Sequence, residues 1–128
     1  MGAQQEAAVR SLLDSVVARD RDGFVHHFDN QAVYHVNAWH DPIVGHDGLR
    51  AEFERQAGIY TDFRYEILHI VSTDTLVFTE RIDTMQIAGT PVSLHWASVH
   101  ELAPTGKITA ARDYYDMQEL EARLASGA

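Results

Sequence analysis

The stretch TLVFTERIDTMQI-AG-TPVSLHWASVHEL, residues 75–102, decides the fold. Two runs rich in β-branched and aromatic residues, Thr75 to Ile87 and Pro91 to Leu102, flank the pair Ala88-Gly89, whose glycine gives the backbone freedom a tight hairpin turn needs. In an antiparallel hairpin centred on that pair, facing residue numbers sum to about 177, which sets Arg81 opposite Trp96 and Asp83 opposite Leu94. Side chains two apart share a face, so Arg81 and Asp83 point one way and Glu80 and Ile82 the other.

On either side lie two more β-rich runs. Asp62 to Val71 precedes the hairpin, with Asp74 at the turn, and Lys107 to Tyr115 follows the turn Ala103-Pro104-Thr105-Gly106. If that turn centres its hairpin, facing numbers sum to about 209 and Trp96 meets Asp113. Arg81, Trp96 and Asp113 then share one row and one face. Two strand spacings of roughly 4.8 Å each separate Arg81 from Asp113, a gap that a guanidinium on its long stem spans. A bulge in either turn would shift this register.

The first half of the chain reads as helices. Val9, Leu13, Val17 and Ala8, Leu12, Val16 recur at helical spacing from Gln4 to Arg19. Asp20 is placed to cap a short second helix through Gly23, Phe24 and Phe28, ending at the Asp29-Asn30 turn signal. A short strand, Ala32 to Val36, comes next. A loop through Trp39, His40, Asp41 and Pro42 leads to Ile43-Val44-Gly45, after which Asp47 is placed to cap a third helix carrying Leu49, Phe53 and Ala57. Met117 to Leu124 reads as a C-terminal helix. Helices first and an antiparallel meander after imply an α+β domain: a curved sheet with the N-terminal helices on its concave face and a cone-like pocket between them.

With 128 residues, 45% of them hydrophobic, and no repeat or low-complexity run, the chain is expected to be one domain, residues 1–128. A formal net charge of −9 disfavours nucleic acid, whose binding relies on basic surface, and leaves small neutral molecules as the natural ligands. The absence of cysteine excludes disulfides and thiolate chemistry. No run is apolar enough to cross a membrane, and MGAQQEAAVR lacks the order of a signal peptide, so the expected location is the cytoplasm.

Two carboxylates near one permanent cation can be driven apart in pKa, one staying ionised as a base while the other keeps a proton as an acid. Epoxide opening needs that combination, because water must lose a proton as it attacks carbon while the departing oxygen gains one. From spacing alone, an ordinary ion-pair network on a solvated face is the favoured reading.

The motif Thr79-Glu80-Arg81-Ile82-Asp83, together with Gly106-Lys107-Ile108-Thr109 and Arg112-Asp113-Tyr114-Tyr115-Asp116, resembles the two catalytic strands of limonene-1,2-epoxide hydrolases, over about the last two thirds of the chain. That family has the cone-shaped fold of the nuclear-transport-factor-like, SnoaL-like superfamily, shared with ketosteroid isomerases, scytalone dehydratases and polyketide cyclases. The resemblance implies Asp113 as the base that activates water, Asp83 as the acid and Arg81 as the bridge between them. The family's Tyr-x-Asn motif corresponds to Tyr34-His35-Val36-Asn37, one residue longer. Asn37 aligns with the family's asparagine, and Tyr34 takes the tyrosine's place if a bulge separates the two; otherwise His35 or no residue does. The resemblance also implies a homodimer and a reaction that needs no cofactor.

The remaining candidates are read more plainly. Trp96, Trp39, Leu94, Phe78 and Met85 are core residues or, as the pocket needs an apolar lining, substrate contacts; Ile43, Phe53 and Leu76 are core first. His35, His40 and His46 lie close in sequence but lack the supporting carboxylates of a metal site, and none is expected. His69, His95 and His100 fall on strands as hydrogen-bonded polar positions, and Arg112 and Asp116 as surface or capping residues. Three functions fit: an epoxide hydrolase acting on a small lipophilic epoxide and water, an epoxide-opening cyclase or isomerase in secondary metabolism, and a non-catalytic binder of small molecules.

Overall fold

In the computed structural model, residues 2–126 are described. The elements run α1 (Ala3–Val17), α2 (Arg21–His26), β1 (Phe28–His35), β2 (Ile43–Val44), α3 (Gly45–Ala57), β3 (Tyr60–Ser72), β4 (Leu76–Ile87), β5 (Thr90–Leu102), β6 (Ile108–Tyr115) and α4 (Met117–Ser126). The strands form one mixed sheet of order β2-β1-β6-β5-β4-β3, antiparallel throughout except where β1 runs parallel to β6. This is the curved α+β cone expected from the order of elements, with the N-terminal helices against its inner face.

Differences from the sequence reading lie at element boundaries. Strand β1 begins at Phe28 rather than Ala32, so Asp29-Asn30 lies inside the strand and not at a turn. A register shift between Phe28 and Val33 absorbs the irregularity, and the Asp29 carboxylate accepts from the Gln31 N–H at 3.0 Å within it. Asp20 does cap α2, accepting from Gly23 N–H; a Cβ on Gly23 would crowd the Asp20 carboxylate at 2.2 Å, so the capping side chain would have to shift. Asp47 does not cap α3. Val44 holds that position without a side-chain bond, and Asp47 sits in the first turn, where it suits the helix dipole and pairs with Arg50 at 3.0 Å.

The main core joins Val9, Leu12 and Leu13 of α1 to Phe28, Ala32, Leu49, Val77, Leu102, Ile108 and Ala111. Each such Leu or Phe contributes about 1.5–3 kcal/mol by leaving water. A second cluster, Phe63, Met85, Val92 and Leu94, lies toward the other end of the long strands and receives Leu120 from α4. The Glu119 carboxylate ties α4 to β5 by accepting from the His95 N–H at 2.8 Å and contacting its Nδ1 at 2.5 Å. No helix is long and apolar enough to cross a membrane among the described residues.

Candidate active site

The β4–β5 hairpin has the expected register, with Arg81 facing Trp96 and Asp83 facing Leu94. The β5–β6 pair does not. Its facing is Ser98 with Asp113 and Trp96 with Tyr115, two residues from expectation. The turn closes between Ala103 and Lys107, the Ala103 N–H donating to the Lys107 carbonyl at 2.9 Å, and a register shift between Glu101 and Leu102 adds a further residue. A displacement of two preserves facing, so Asp113 still points inward. The change is the neighbour: Ser98 stands between Arg81 and Asp113.

The guanidinium of Arg81 is held on all sides. Its Nε and Nη2 donate to Asp83 Oδ1 and Oδ2 at 2.9 and 2.8 Å, and its Nη1 donates to Thr79 Oγ1 and Ser98 Oγ, both at 3.0 Å. The Ser98 hydroxyl donates to Asp113 Oδ1 at 2.8 Å. Arg81 thus bonds directly to one carboxylate and reaches the other through a hydroxyl. Thr79, Arg81, Asp83, Ser98 and Asp113 are all buried. Burial opposes the charge of Arg81, but the Asp83 carboxylate more than offsets it and the pKa is raised.

Strand β1 brings in the other oxygen of Asp113. Parallel pairing sets Tyr34 beside Ala111 and His35 beside Arg112, so Tyr34 shares the inward face and its hydroxyl donates to Asp113 Oδ2 at 2.5 Å. His35 lies on the other face, with Nδ1 3.0 Å from the His40 carbonyl. The chain bends at Val36-Asn37, and Asn37, also buried, donates from Nδ2 to the Tyr115 carbonyl at 3.1 Å. Asp113 therefore accepts two O–H donors. Burial nevertheless pushes its pKa up against the lowering pull of Tyr34, Arg81 and Ser98, and burial together with the Asp113 charge pushes the Tyr34 phenol well above its ordinary range.

These groups form one wall of a cavity of about 110 Å³. A single water needs only roughly 10–15 Å³ on this measure, so the space suits a small organic molecule. The other walls are mostly apolar, with Leu12, Leu13 and Val16 of α1 and Phe53 of α3 facing Phe28 and Phe63, while Arg19, Glu52, Gln56 and Tyr60 add polar groups to the lining. Trp96 and Met85 reach the cavity, and the Trp96 ring stacks on Tyr115 at a centroid distance of 4.1 Å. Three proposed contacts fall elsewhere. Trp39 is 69% exposed and stacked on His40, Phe78 is 44% exposed on the outer face of the sheet, and Leu94 is buried in the second core cluster. Phe78 belongs to the opposite strand parity from Arg81, which alternation alone reveals; Trp39 lies in a loop, where periodicity gives no facing.

Ser98 went unread in the sequence, and His100 was expected as a hydrogen-bonded strand position rather than a cavity residue. Both share the inward parity of Trp96, and that alternation, carried four residues further along β5, would have found them. The Nε1 of Trp96 and the Nδ1 of His100 are buried without hydrogen-bond partners among the described residues. Among the same residues no three His, Asp or Glu side chains converge as metal ligands; His46 Nε2, for one, lies 2.8 Å from the Phe28 carbonyl.

Solved structures with the same architecture include an LEH-like epoxide hydrolase of M. tuberculosis, 26% identical with a TM-score of 0.85, the match covering 98% of this chain and 92% of that one. SalBIII, an epoxide hydrolase/cyclase-like enzyme of pyran ring formation in the polyether salinomycin, is 21% identical with a TM-score of 0.80, covering 90% and 92%. A protein from Shewanella denitrificans described as a SnoaL-like polyketide cyclase is 14% identical with a TM-score of 0.86, covering 95% and 97%. The family model of the SnoaL-like domain matches residues 9–111, most of the chain. The curved sheet, the helices on its inner face and this match agree: the chain belongs to the SnoaL-like domain family.

Proposed function

We propose that the protein is an epoxide hydrolase that adds water directly to a small lipophilic epoxide to give a vicinal diol. The observation that carries this reading is the buried chain Asp83–Arg81–Ser98–Asp113, closed by Tyr34, on one wall of a mostly apolar cavity. Asp113, its basicity raised by burial, takes a proton from water as the water oxygen forms a bond to one ring carbon. The C–O bond at that carbon breaks, and the departing oxygen takes a proton from Asp83. One proton shared by the two carboxylates leaves Arg81 balanced by a single negative charge, the favourable state in a buried site. For Asp83 to hold that proton, one of its two bonds from Arg81 opens. Tyr34 orients the water side, Asn37 holds the end of β6 beside it through the Tyr115 carbonyl, and Trp96 and Met85 contact the substrate.

No step calls for a metal or organic cofactor. The likeness to the M. tuberculosis epoxide hydrolase supports hydrolysis. A second reading keeps the same acid–base pair and replaces water with a hydroxyl of the substrate, giving ring closure, as the likeness in fold to SalBIII suggests. Single-turnover reaction of limonene oxide and cyclohexene oxide in oxygen-18 water separates them. Labelled diol supports hydrolysis; unlabelled diol from the first turnover means a carboxylate nucleophile. With an epoxide that carries its own hydroxyl, a product of unchanged mass means cyclisation.

We place a homodimer contact, which the family resemblance implies, on the outer face of the sheet. There Val71, Phe78, Val99 and Arg112 occupy one cross-strand row, and Val71 and Phe78 are exposed.

A further inference from the structure

Among the described residues, His100 is the fully buried ionisable group in the cavity wall that the acid–base chain leaves unused; Glu52 and Tyr60, which also line it, are only partly buried and pair with Gln56. It lies on β5 two residues beyond Ser98, on the same face, and its cross-strand neighbours are the buried apolar Val77 and Ala111. The side chain is 4% exposed, yet it lines the cavity together with Ala111, Leu12 and Phe28. Every other inward polar side chain nearby is paired: Thr79 and Ser98 with Arg81, Ser98 with Asp113. The Nδ1 of His100 has no such partner. Leucine or methionine would fill this position without leaving a buried polar atom unpaired, so packing does not account for the imidazole. The unpaired Trp96 Nε1 is different, since it lies among the proposed reacting groups.

The imidazole is uncharged. Burial, then the charges of Arg81 and Arg112, push its pKa down to about 3. A neutral imidazole offers one N–H donor and one acceptor nitrogen, which suits a hydroxyl or carbonyl and gives no attraction for a carboxylate. Its place along β5 sets the reach, because two strand residues span about 7 Å from Ser98.

We infer that the ligand of this cavity carries a second, uncharged oxygen function, a hydroxyl or a carbonyl, bound by His100 about 7 Å along the strands from Ser98 and Asp113. On the hydrolase reading, the substrate is an oxygenated epoxide rather than a plain hydrocarbon epoxide. His100 then determines specificity without touching the reacting atoms.

The test uses two ligands that lack an epoxide, so that it does not depend on turnover. Perillyl alcohol and limonene differ by one hydroxyl, and their dissociation constants for the wild-type protein and for His100→Leu and His100→Gln are measured by calorimetric titration. We expect the wild type to favour the alcohol by roughly tenfold or more, His100→Leu to lose that preference, and His100→Gln, which keeps a donor and an acceptor, to retain part of it. Equal binding of the two ligands by the wild type, failure of both to bind, or a preference that survives in His100→Leu overturns the inference. If His100→Leu does not fold, the wild-type comparison and His100→Gln still decide. Absence of diol from every epoxide, with the alcohol preference intact, removes the hydrolase reading and leaves the His100 subsite standing.

Discussion

The Ser98 hydroxyl joins Arg81 to Asp113, accepting from Arg81 Nη1 at 3.0 Å and donating to Asp113 Oδ1 at 2.8 Å. Its single proton is committed to the carboxylate, so the positive charge of Arg81 reaches Asp113 through an oriented O–H rather than by direct contact. Arg81 is thereby free to grip Asp83 with two donors. The two carboxylates experience different environments even though one cation serves both.

Replacing either carboxylate by its amide keeps volume and removes proton transfer. Asp113→Asn and Asp83→Asn are each expected to lower kcat by about 10²–10⁴-fold with unchanged far-ultraviolet circular dichroism. Wild-type turnover in either purified variant would remove that residue from the mechanism.

Ser98→Ala and Tyr34→Phe each delete an O–H that stabilises the ionised form of Asp113. Loss of a donor raises the carboxylate pKa further, so the acid limb of the kcat/KM profile should move to higher pH in both variants. The wild-type limb should already lie above the usual aspartate value of about 3.9, since burial raises Asp113. A limb that stays put in both variants would detach Asp113 from the rate.

His100 links stability to pH. Its pKa falls from 6.5 to about 3 on folding, so between those values the unfolded chain binds a proton that the folded chain does not. Stability from this residue is present above pH 6.5 and is lost as pH falls toward 3. Two pH units below 6.5 the loss is about 2–3 kcal/mol. Urea midpoints at pH 7 and pH 4.5 should therefore drop less in His100→Leu than in the wild type, and equal drops would show that the imidazole does not titrate as described.

Phe78→Glu places a charge in the outer-face row Val71, Phe78, Val99, of which Val71 and Phe78 are exposed. Light scattering after size exclusion should report a dimer for the wild type and a monomer for the variant, with unfolding temperature little changed, because Phe78 is outside both core clusters. A monomeric wild type, or a variant that remains dimeric, would move the contact elsewhere.

The sequence by itself determined the faces and one register. The period of two set Arg81, Asp83, Trp96 and Asp113 on the inner side, and the two-residue turn at Ala88-Gly89 aligned β4 with β5 without a slip. Only the tertiary structure decided which inward residues touch. The turn after Leu102 closes over more residues and is followed by a register shift, so Asp113 meets Ser98 instead of Trp96, and composition does not count a bulge. Tyr34 reaches Asp113 across 79 residues of chain because β1 pairs in parallel with β6, a contact that leaves no local mark in either segment. Trp39 and Phe78 are as apolar as Trp96 and Met85, yet a loop and an opposite parity carry them out of the cavity. Alternation along a strand is a local property of the backbone, whereas register and the pairing of distant strands are settled by the free energy of the whole packed sheet.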